Sequence, residues 1–285
     1  MPQVAALYRY PVKGFTPESV TELLVRSDGR IAGDRVLAFR FAEAADPEDR
    51  DGLEYWPKAK GLALQDFPSL AALRLSYDEG ARRVRITATG REAASDAGRV
   101  LVDAGLDPAG RAALASAVAE HLLDGPEGGR LRRTGRLPLA LVGDGAHSRF
   151  QDRPRGYVSV HGSGSVAALG SAVGGGVDHR RFRSNIVIDG LPAWEELRWS
   201  GRVRIGGLVF RTEGPIVRCL ATHANPDTGV RDLRVLTTLT RELGQEEPTL
   251  GRLLLPEGSA PARAGTPEGA VALGVIRLGD VVEVL

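Results

Sequence analysis

Short stretches in which apolar and polar residues alternate are the feature that most constrains the fold of this chain. RVLAFRFAE, RRVRITAT, NIVIDG and GRVRIGGLVFRT each have a period near two and are bounded by glycine, proline or aspartate. Successive side chains of a strand point to opposite faces, so this alternation predicts half-buried β-strands. Apolar residues have helical spacing in only three segments, which are 109–125, a stretch that starts at Ser163, and 231–244. In the second of these, Ser163 is the expected N-cap. Many strands with few helices predict a β-rich α+β fold with barrel-like parts.

The composition is ordinary for a globular protein and disfavours several classes. Its 285 residues suit one large domain or two small ones. A formal charge of +1 gives no general attraction to nucleic acid or anionic membranes. The sequence has no long apolar run and no signal-peptide pattern at its N-terminus, and its one cysteine cannot form an internal disulfide. We therefore expect a cytoplasmic protein that binds neither nucleic acid nor membrane.

Three segments interrupt the strand pattern with polar, glycine and proline residues. Residues 44–61 predict a long exposed loop, and 255–269 predict a flexible excursion. The Gly/Arg-rich segment 124–140 is the expected domain boundary. The sequence thus predicts one domain over 1–125 and a second over 126–285.

Cys219, the only cysteine, lies in GPIVRCLATHANPDTG, residues 214–229. It follows a strand pattern and precedes a turn-forming NPDTG segment. The thiolate is the form of cysteine that binds metals and attacks electrophiles, and a nearby cation such as Arg218 lowers a thiol's pKa. Free cysteine is also among the most buried residue types, so these residues alone leave a purely structural role open.

RFRSNIVIDG, residues 181–190, concentrates polar groups in one short stretch. In an extended segment, Arg181, Arg183 and Asn185 would share one face. Two guanidinium groups and an amide on one face suit a phosphate or a polar heterocycle. The alternative is a solvated strand edge.

Two further basic blocks occur early in the chain, YRYPVKGF at 8–15 and GDRVLAFR from Gly33. Lys13 and Arg35 would add positive charge, and Gly14 frees the backbone beside Lys13. Taken separately, both blocks are also compatible with ordinary surface charge.

Together and in this order, these blocks resemble the MOSC family, named after the C-terminal domain of molybdenum cofactor sulfurase. The resemblance is to its two-domain members, such as the amidoxime-reducing component. YRYPVKGFTPESV and GRIAGDRVLAFRF are similar to the N-terminal β-barrel domain of that family. RFRSNIVIDG, VRCLATHANPDTG and GVIRLGDVVEV are similar to the MOSC domain. The resemblance implies a β-barrel-like N-terminal domain, a MOSC β-barrel domain with few helices, and a cofactor between them.

The resemblance also implies a molybdenum cofactor, Mo-molybdopterin, with Cys219 as metal ligand and Asp227 beside it in catalysis. It implies that the cofactor is bound by Lys13, Gly14, Arg35, Ser163, Ser165, Arg183, Asn185 and Arg218. Backbone amides at the start of the Ser163 helix would favour the terminal phosphate of the cofactor. The implied activity is reduction of N-hydroxylated small molecules, with electrons from an external reductase or ferredoxin-like protein.

Two other functions stay open at this stage. A metal-free protein of the same fold would bind or transform a small anionic or sulfur-containing metabolite, with Cys219 as nucleophile or sulfur carrier. A non-catalytic cofactor carrier or partner-binding module would use the same residues without turnover.

Overall fold

β-Strands dominate the computed structural model, which describes residues 1–50, 52–89, 98–260 and 270–285. In these ranges the strands are β1 (Gln3–Arg9), β2 (Glu18–Val20), β3 (Glu22–Arg26), β4 (Ala38–Arg40), β5 (Glu48–Arg50), β6 (Leu53–Tyr55), β7 (Leu73–Asp78), β8 (Arg83–Ala88), β9 (Val100–Gly105), β10 (Ala140–Val142), β11 (Val158–Gly162), β12 (Ile186–Asp189), β13 (Arg202–Ile205), β14 (Leu208–Val217), β15 (Thr249–Pro256), β16 (Ala272–Arg277) and β17 (Val282–Val284).

The helices are fewer and mostly short. They are α1 (Pro108–Leu123), α2 (Gly128–Leu131), α3 (Ser163–Val173), α4 (Glu195–Arg198) and α5 (Val235–Thr237), which a π-helical turn at Thr238–Glu242 extends. The 3-10 turns are Ala42–Ala44, Lys58–Lys60, Pro68–Ala72, His179–Phe182 and Leu220–His223. The predicted β-rich α+β fold is confirmed.

The largest sheet has eight strands in the order β17-β13-β14-β15-β11-β12-β1-β2. Only β11 and β12 run parallel within it; the other described pairs are antiparallel. The alternation seen in the sequence is the cause of its layering, since in β13 the valine and isoleucine are buried and the two arginines are exposed. The buried faces of these strands form one apolar core.

A second core lies in the first half of the chain. The three-stranded antiparallel sheet β7-β8-β9 packs with helix α1, whose N-cap Asp107 accepts hydrogen bonds from the amides of Ala109 and Gly110, each at 3.0 Å. Strand β10 pairs with β4 and brings residues 140–142 into the same region. Capping by aspartate satisfies amides that have no partner inside the helix, which explains why α1 begins at Pro108.

The start of the chain belongs to the sheet of the second half. Strand β1 pairs with β12, and β3 pairs with β16. Because β1 and β12 are antiparallel, the segment that follows β1 lies beside the segment that precedes β12, and residues of both line the cavity described below. The boundary predicted at residues 125 and 126 stays a prediction.

Three local predictions need correction. Within 44–61, the described residues form the paired strands β5 and β6 and a 3-10 turn instead of a plain exposed loop, because Trp56 is buried against Phe150 with ring centres 4.9 Å apart. Gly162, not Ser163, is the N-cap of α3, and no side chain caps that helix. Helix formation in 231–244 starts only at Val235, since Arg231 bridges back to Ala224. Of the predicted excursion at 255–269, residues 261–269 lie outside the described residues.

Candidate functional site

A cavity of about 560 Å³ lies between residues of the first half and residues 151–253 of the second. Eight basic side chains and one acidic side chain, Asp152, line it among the residues that the structure describes. The basic ones are Lys13, Arg35, Arg50, Lys58, Arg153, Arg181, Arg183 and Arg218. Low-dielectric walls strengthen the field of such an excess of positive charge, so the cavity favours anions over cations.

Tyr10 lies beneath two of these cations. The guanidinium carbons of Arg183 and Arg35 are 4.3 Å and 5.0 Å from the centre of the Tyr10 ring. The negative face of an aromatic ring attracts cations, so the ring holds two like charges side by side. The Tyr10 hydroxyl donates to the carbonyl oxygen of Ser184 at 3.3 Å. Burial raises the pKa of Tyr10, which keeps the ring a neutral phenol.

Asp34, which is fully buried, connects the two halves of the site. One of its carboxylate oxygens accepts from the backbone amide of Tyr10 at 2.9 Å and from the side-chain amide of Asn185 at 3.3 Å. The other oxygen accepts from the guanidinium of Arg35. Burial alone would lower the pKa of Arg35, but the Asp34 carboxylate outweighs it and raises that pKa.

Both the nitrogen and the oxygen of the Asn185 side-chain amide have hydrogen-bond partners. The amide nitrogen donates to Asp34 and also to the carbonyl oxygen of Tyr8 in β1, the latter at 3.2 Å. The amide oxygen accepts from the Ser159 hydroxyl at 2.8 Å. A side-chain amide has two donor hydrogens, so both are used inside the protein. Asn185, the residue before β12, therefore shapes the cavity by linking its own segment to β1, β11 and Asp34.

The segment that carries Arg183 is not extended, and that prediction is wrong. Residues His179–Phe182 form a 3-10 turn, and Arg183 follows with φ +53°. This bend sends neighbouring arginines to different partners: Arg183 donates to the carbonyl oxygen of Phe15 at 2.6 Å, whereas Arg181 pairs with Asp232 at 2.7 Å. Burial lowers the pKa of Arg183 to about 10, so it remains a cation at neutral pH.

Arg35 shares this unusual backbone, also with φ +53°. Residues other than glycine rarely adopt the left-handed region, and each one costs about 1–2 kcal/mol. The described residues contain four such positions, and two of them, Arg35 and Arg183, line the cavity. Strained backbone of this kind concentrates at binding and catalytic sites.

Cys219 is half-buried and lines the cavity immediately after β14. Its carbonyl oxygen accepts from the amide and the hydroxyl of Thr222 at 3.1 Å and 3.0 Å, which fixes the backbone at the thiol. The preceding Arg218 is buried, and it donates to the carbonyl oxygens of Leu250 and Phe182 at 2.7 Å and 2.6 Å. Burial lowers the pKa of Arg218 to about 10, while Cys219 acts in the opposite direction.

Lys13 is buried, and its ammonium group lies 2.9 Å from one oxygen of Asp152. Lys58 lies 3.8 Å from the other oxygen. Burial lowers the pKa of Lys13, and the nearby Asp152 counteracts that effect. Although desolvation works against it, the pair of lysines holds the pKa of Asp152 below its ordinary value. Gly14, next to Lys13, has φ +88° and lines the same cavity.

Three predicted site residues lie outside this cavity lining. The Ser163 hydroxyl donates to Asp189 at 2.6 Å, beside a separate surface groove. Ser165 is buried, where it donates to Glu196 at 2.8 Å. Asp227 pairs with Arg180 at 2.8 Å, and its backbone carbonyl accepts from Thr89. The other predicted positions, Lys13, Gly14, Arg35, Arg183, Asn185, Arg218 and Cys219, all line the cavity.

Sequence reasoning missed several residues that build this site, notably Tyr10, Asp34, Lys58, Asp152 and Ser159. Tyr10 and Asp34 stand directly inside the YRYPVKGF and GDRVLAFR blocks, so the position of Asp34 between Gly33 and Arg35 was an available signal. Lys58 and Asp152 lie in polar segments without a motif. Their proximity depends on tertiary folding, which the sequence pattern does not report.

Comparison with known proteins defines the class. Residues 1–103 match the MOSC N-terminal beta barrel domain, and residues 147–283 match the MOSC domain. The chain therefore belongs to the MOSC family, in its two-domain form.

Similarity to individual proteins is local. A segment of 61 residues is 49% identical to molybdenum cofactor sulfurase of Drosophila grimshawi, and 62 residues are 39% identical to molybdenum cofactor sulfurase 2 of Culex quinquefasciatus. These matches cover 21% and 22% of this chain but only 8% of each relative. The YUAD protein from Bacillus subtilis aligns over 99% of this chain and 94% of its own, at 11% identity and a TM-score of 0.40, too low to carry an argument. Within the ranges that the structure describes, no helix has the length and apolarity needed to span a bilayer.

Proposed function

We propose that the cavity binds a molybdenum cofactor of the pterin type and that the protein is an oxidoreductase acting on N-hydroxylated small molecules. The observation that carries the proposal is a half-buried thiol, Cys219, in the wall of a cavity lined by eight cations. Membership of the MOSC family supports it. The relatives named molybdenum cofactor sulfurase connect part of the chain with the same cofactor.

The residues present fit such a group. The phosphate of a pterin cofactor is an anion, and the guanidinium groups around Tyr10 offer it charge-assisted hydrogen bonds. The described residues contain no cluster of three or more His, Cys, Asp or Glu side chains able to hold a metal ion. The protein thus offers the metal one soft thiolate, Cys219, and the cofactor has to bring the remaining sulfur ligands.

The residues of the cavity have different tasks in this proposal. Lys13, Arg35 and Arg183 bind the anionic part of the cofactor; Asp34 holds Arg35 in place, and Asn185 donates to Asp34. Cys219 anchors the metal end, next to the buried charge of Arg218. The exposed Val217 lines the cavity beside Cys219 and would meet the apolar part of a substrate.

The bound cofactor would supply two-electron redox chemistry. In the proposed reaction the N–O bond of an N-hydroxylated substrate breaks, and the oxygen leaves as water after the uptake of two electrons and two protons. The electrons come from an external reductase or ferredoxin-like protein. We also propose a cytoplasmic location, supported by a single cysteine that has no intrachain partner.

The test is reduction of an amidoxime by protein purified from a host that makes the cofactor, with a reduced viologen dye as electron donor. The wild type and Asp103→Asn, a control on β9 outside the cavity lining, should produce the amidine. Cys219→Ser should lose at least about 100-fold in rate, because the metal loses its protein ligand. Equal turnover by Cys219→Ser and the wild type would contradict the proposal.

A second function is supported by the same sulfur atom, which is partly accessible within a cationic cavity. In it, Cys219 acts without a metal, as a nucleophile or sulfur carrier for a small anionic or sulfur-containing metabolite. Intact-protein mass spectrometry separates the two. A persulfide or a covalent adduct that disappears in Cys219→Ser favours the second function, and an unmodified thiol with bound pterin favours the first.

A further inference from the structure

Asp152 is the single acidic side chain among the described residues that line the cavity. Its side chain is 59% exposed, but its two oxygens face the ammonium groups of Lys13 and Lys58 at 2.9 Å and 3.8 Å. The Lys13 side chain is only 9% exposed, so its charge has few other ways to be neutralised. The carboxylate thus lies where two lysines converge, which is where an anionic ligand would bind.

The backbone around Asp152 is held in place on both sides. The guanidinium of Arg30 donates to the carbonyl oxygens of Ser148 and Pro154, the latter at 2.9 Å. The ammonium group of Lys13 also reaches the carbonyl oxygen of Gln151 at 3.5 Å. These contacts fix the segment that carries Asp152, so the carboxylate is presented to the cavity by the fold and is not simply a surface side chain that happens to reach a lysine.

We propose that Asp152 is a built-in counter-anion, which occupies the Lys13–Lys58 position until an anionic group of the ligand displaces it. The inference rests on the proposed function only in that the cavity takes an anionic ligand. A phosphate carries up to two charges and three acceptor oxygens, whereas a carboxylate carries one charge and two oxygens. Displacing Asp152 has the same cost for every ligand, so multiply charged ligands overcome it and neutral or singly charged ones do not. Asp152 therefore sets both the affinity and the charge selectivity of the cavity.

The experiment is calorimetric titration of the cofactor-free full-length chain with inorganic phosphate. Asp152→Asn should bind phosphate about tenfold more tightly than the wild type, the change expected when a unit charge a few ångströms away is removed at a half-exposed site. Asp103→Asn removes the same charge from β9, outside the cavity lining, and should leave the affinity unchanged. Adding Lys13→Met to Asp152→Asn should abolish the gain, and thermal melting should show that each variant folds.

Equal phosphate affinity of Asp152→Asn and the wild type would overturn the inference, as would an equal gain in Asp103→Asn. Pterin fluorescence of protein made in a cofactor-producing host separates this result from the proposed function. A chain that carries pterin but gains no phosphate affinity in Asp152→Asn overturns the counter-anion alone. A chain that never carries pterin but shows the gain overturns the molybdenum cofactor and supports the counter-anion.

Discussion

Replacing Asp34 with asparagine tests whether this buried carboxylate organises the cavity. The substitution keeps the shape of the side chain but removes the charge that pairs with Arg35 and places an amide where that guanidinium donates. Breaking one partner of a buried ion pair costs about 3–5 kcal/mol. For 285 residues the entropy of unfolding near the midpoint is roughly 0.6 kcal/mol per kelvin. Asp34→Asn should therefore lower the Tm by about 5–8 °C.

Differential scanning calorimetry measures this shift, and Glu283→Gln is the matched control. Glu283 pairs with Arg204 at 2.9 Å, but their side chains are 53% and 48% exposed. Exposed pairs contribute about 0–1 kcal/mol, so the control should shift the Tm by less than about 2 °C. If Asp34→Asn melts no lower than Glu283→Gln, the central role given to Asp34 is wrong.

Two further predictions concern the packing at Gly251, beside the cavity residue Arg218, and the charge of Lys13. Gly251→Ala would place a Cβ 2.4 Å from the carbonyl oxygen of Val160 and 2.9 Å from the guanidinium of Arg218, whereas Gly258 has the same kind of positive φ and open space around it. In urea unfolding, Gly251→Ala should lose at least about 1 kcal/mol more than Gly258→Ala, and equal losses would contradict the contact argument. Burial lowers the pKa of Lys13 below 10.5, so the cavity loses this charge as the pH rises through that lowered value. As the pH rises toward 10, phosphate affinity should fall less in Lys13→Arg than in the wild type, because Arg183 and Arg218 lose charge near pH 10 in both proteins while only the wild type also loses the Lys13 charge. Equal pH profiles of the two proteins would refute this.

The β-rich architecture could be predicted because its cause is local. In strands such as β13, alternation of arginine with valine and isoleucine appears directly in the letters and reappears as alternating exposure. The failures occurred where a tertiary contact overrides the local pattern. Trp56 draws a polar stretch into the interior, and the bridge from Arg231 to Ala224 delays the last helix.

For the candidate site, the residue types were easier to predict than their partners. Lys13, Arg35, Arg183 and Cys219 line one cavity, as the resemblance to a family led us to expect, although their roles stay predictions. Asn185 lines the same cavity, and its predicted role in binding the cofactor stays a prediction; both of its donor hydrogens are used by the protein. That outcome depends on Asp34, which lies 151 positions away in the chain.

The serines of α3 show the same limitation. A serine at a helix start in sequence suggests an anion site, but the Ser163 hydroxyl donates to Asp189 and Ser165 is turned to Glu196. The direction in which a helix N-terminus points is set by how the helix packs, and no spacing in the sequence reports it. Asp152 shows the opposite outcome: the sequence does not predict it as a site residue, but folding brings it next to Lys13 in the cavity.

The most direct test of the proposed function is the amount of molybdenum carried by each chain, measured by inductively coupled plasma mass spectrometry after purification from a cofactor-producing host. The wild type should carry about one molybdenum per chain, together with pterin. Cys219→Ser should carry clearly less metal, because the protein's own ligand to it is gone. A wild-type chain without molybdenum, or a Cys219→Ser chain that holds as much as the wild type, would contradict the assignment of Cys219 as the metal ligand.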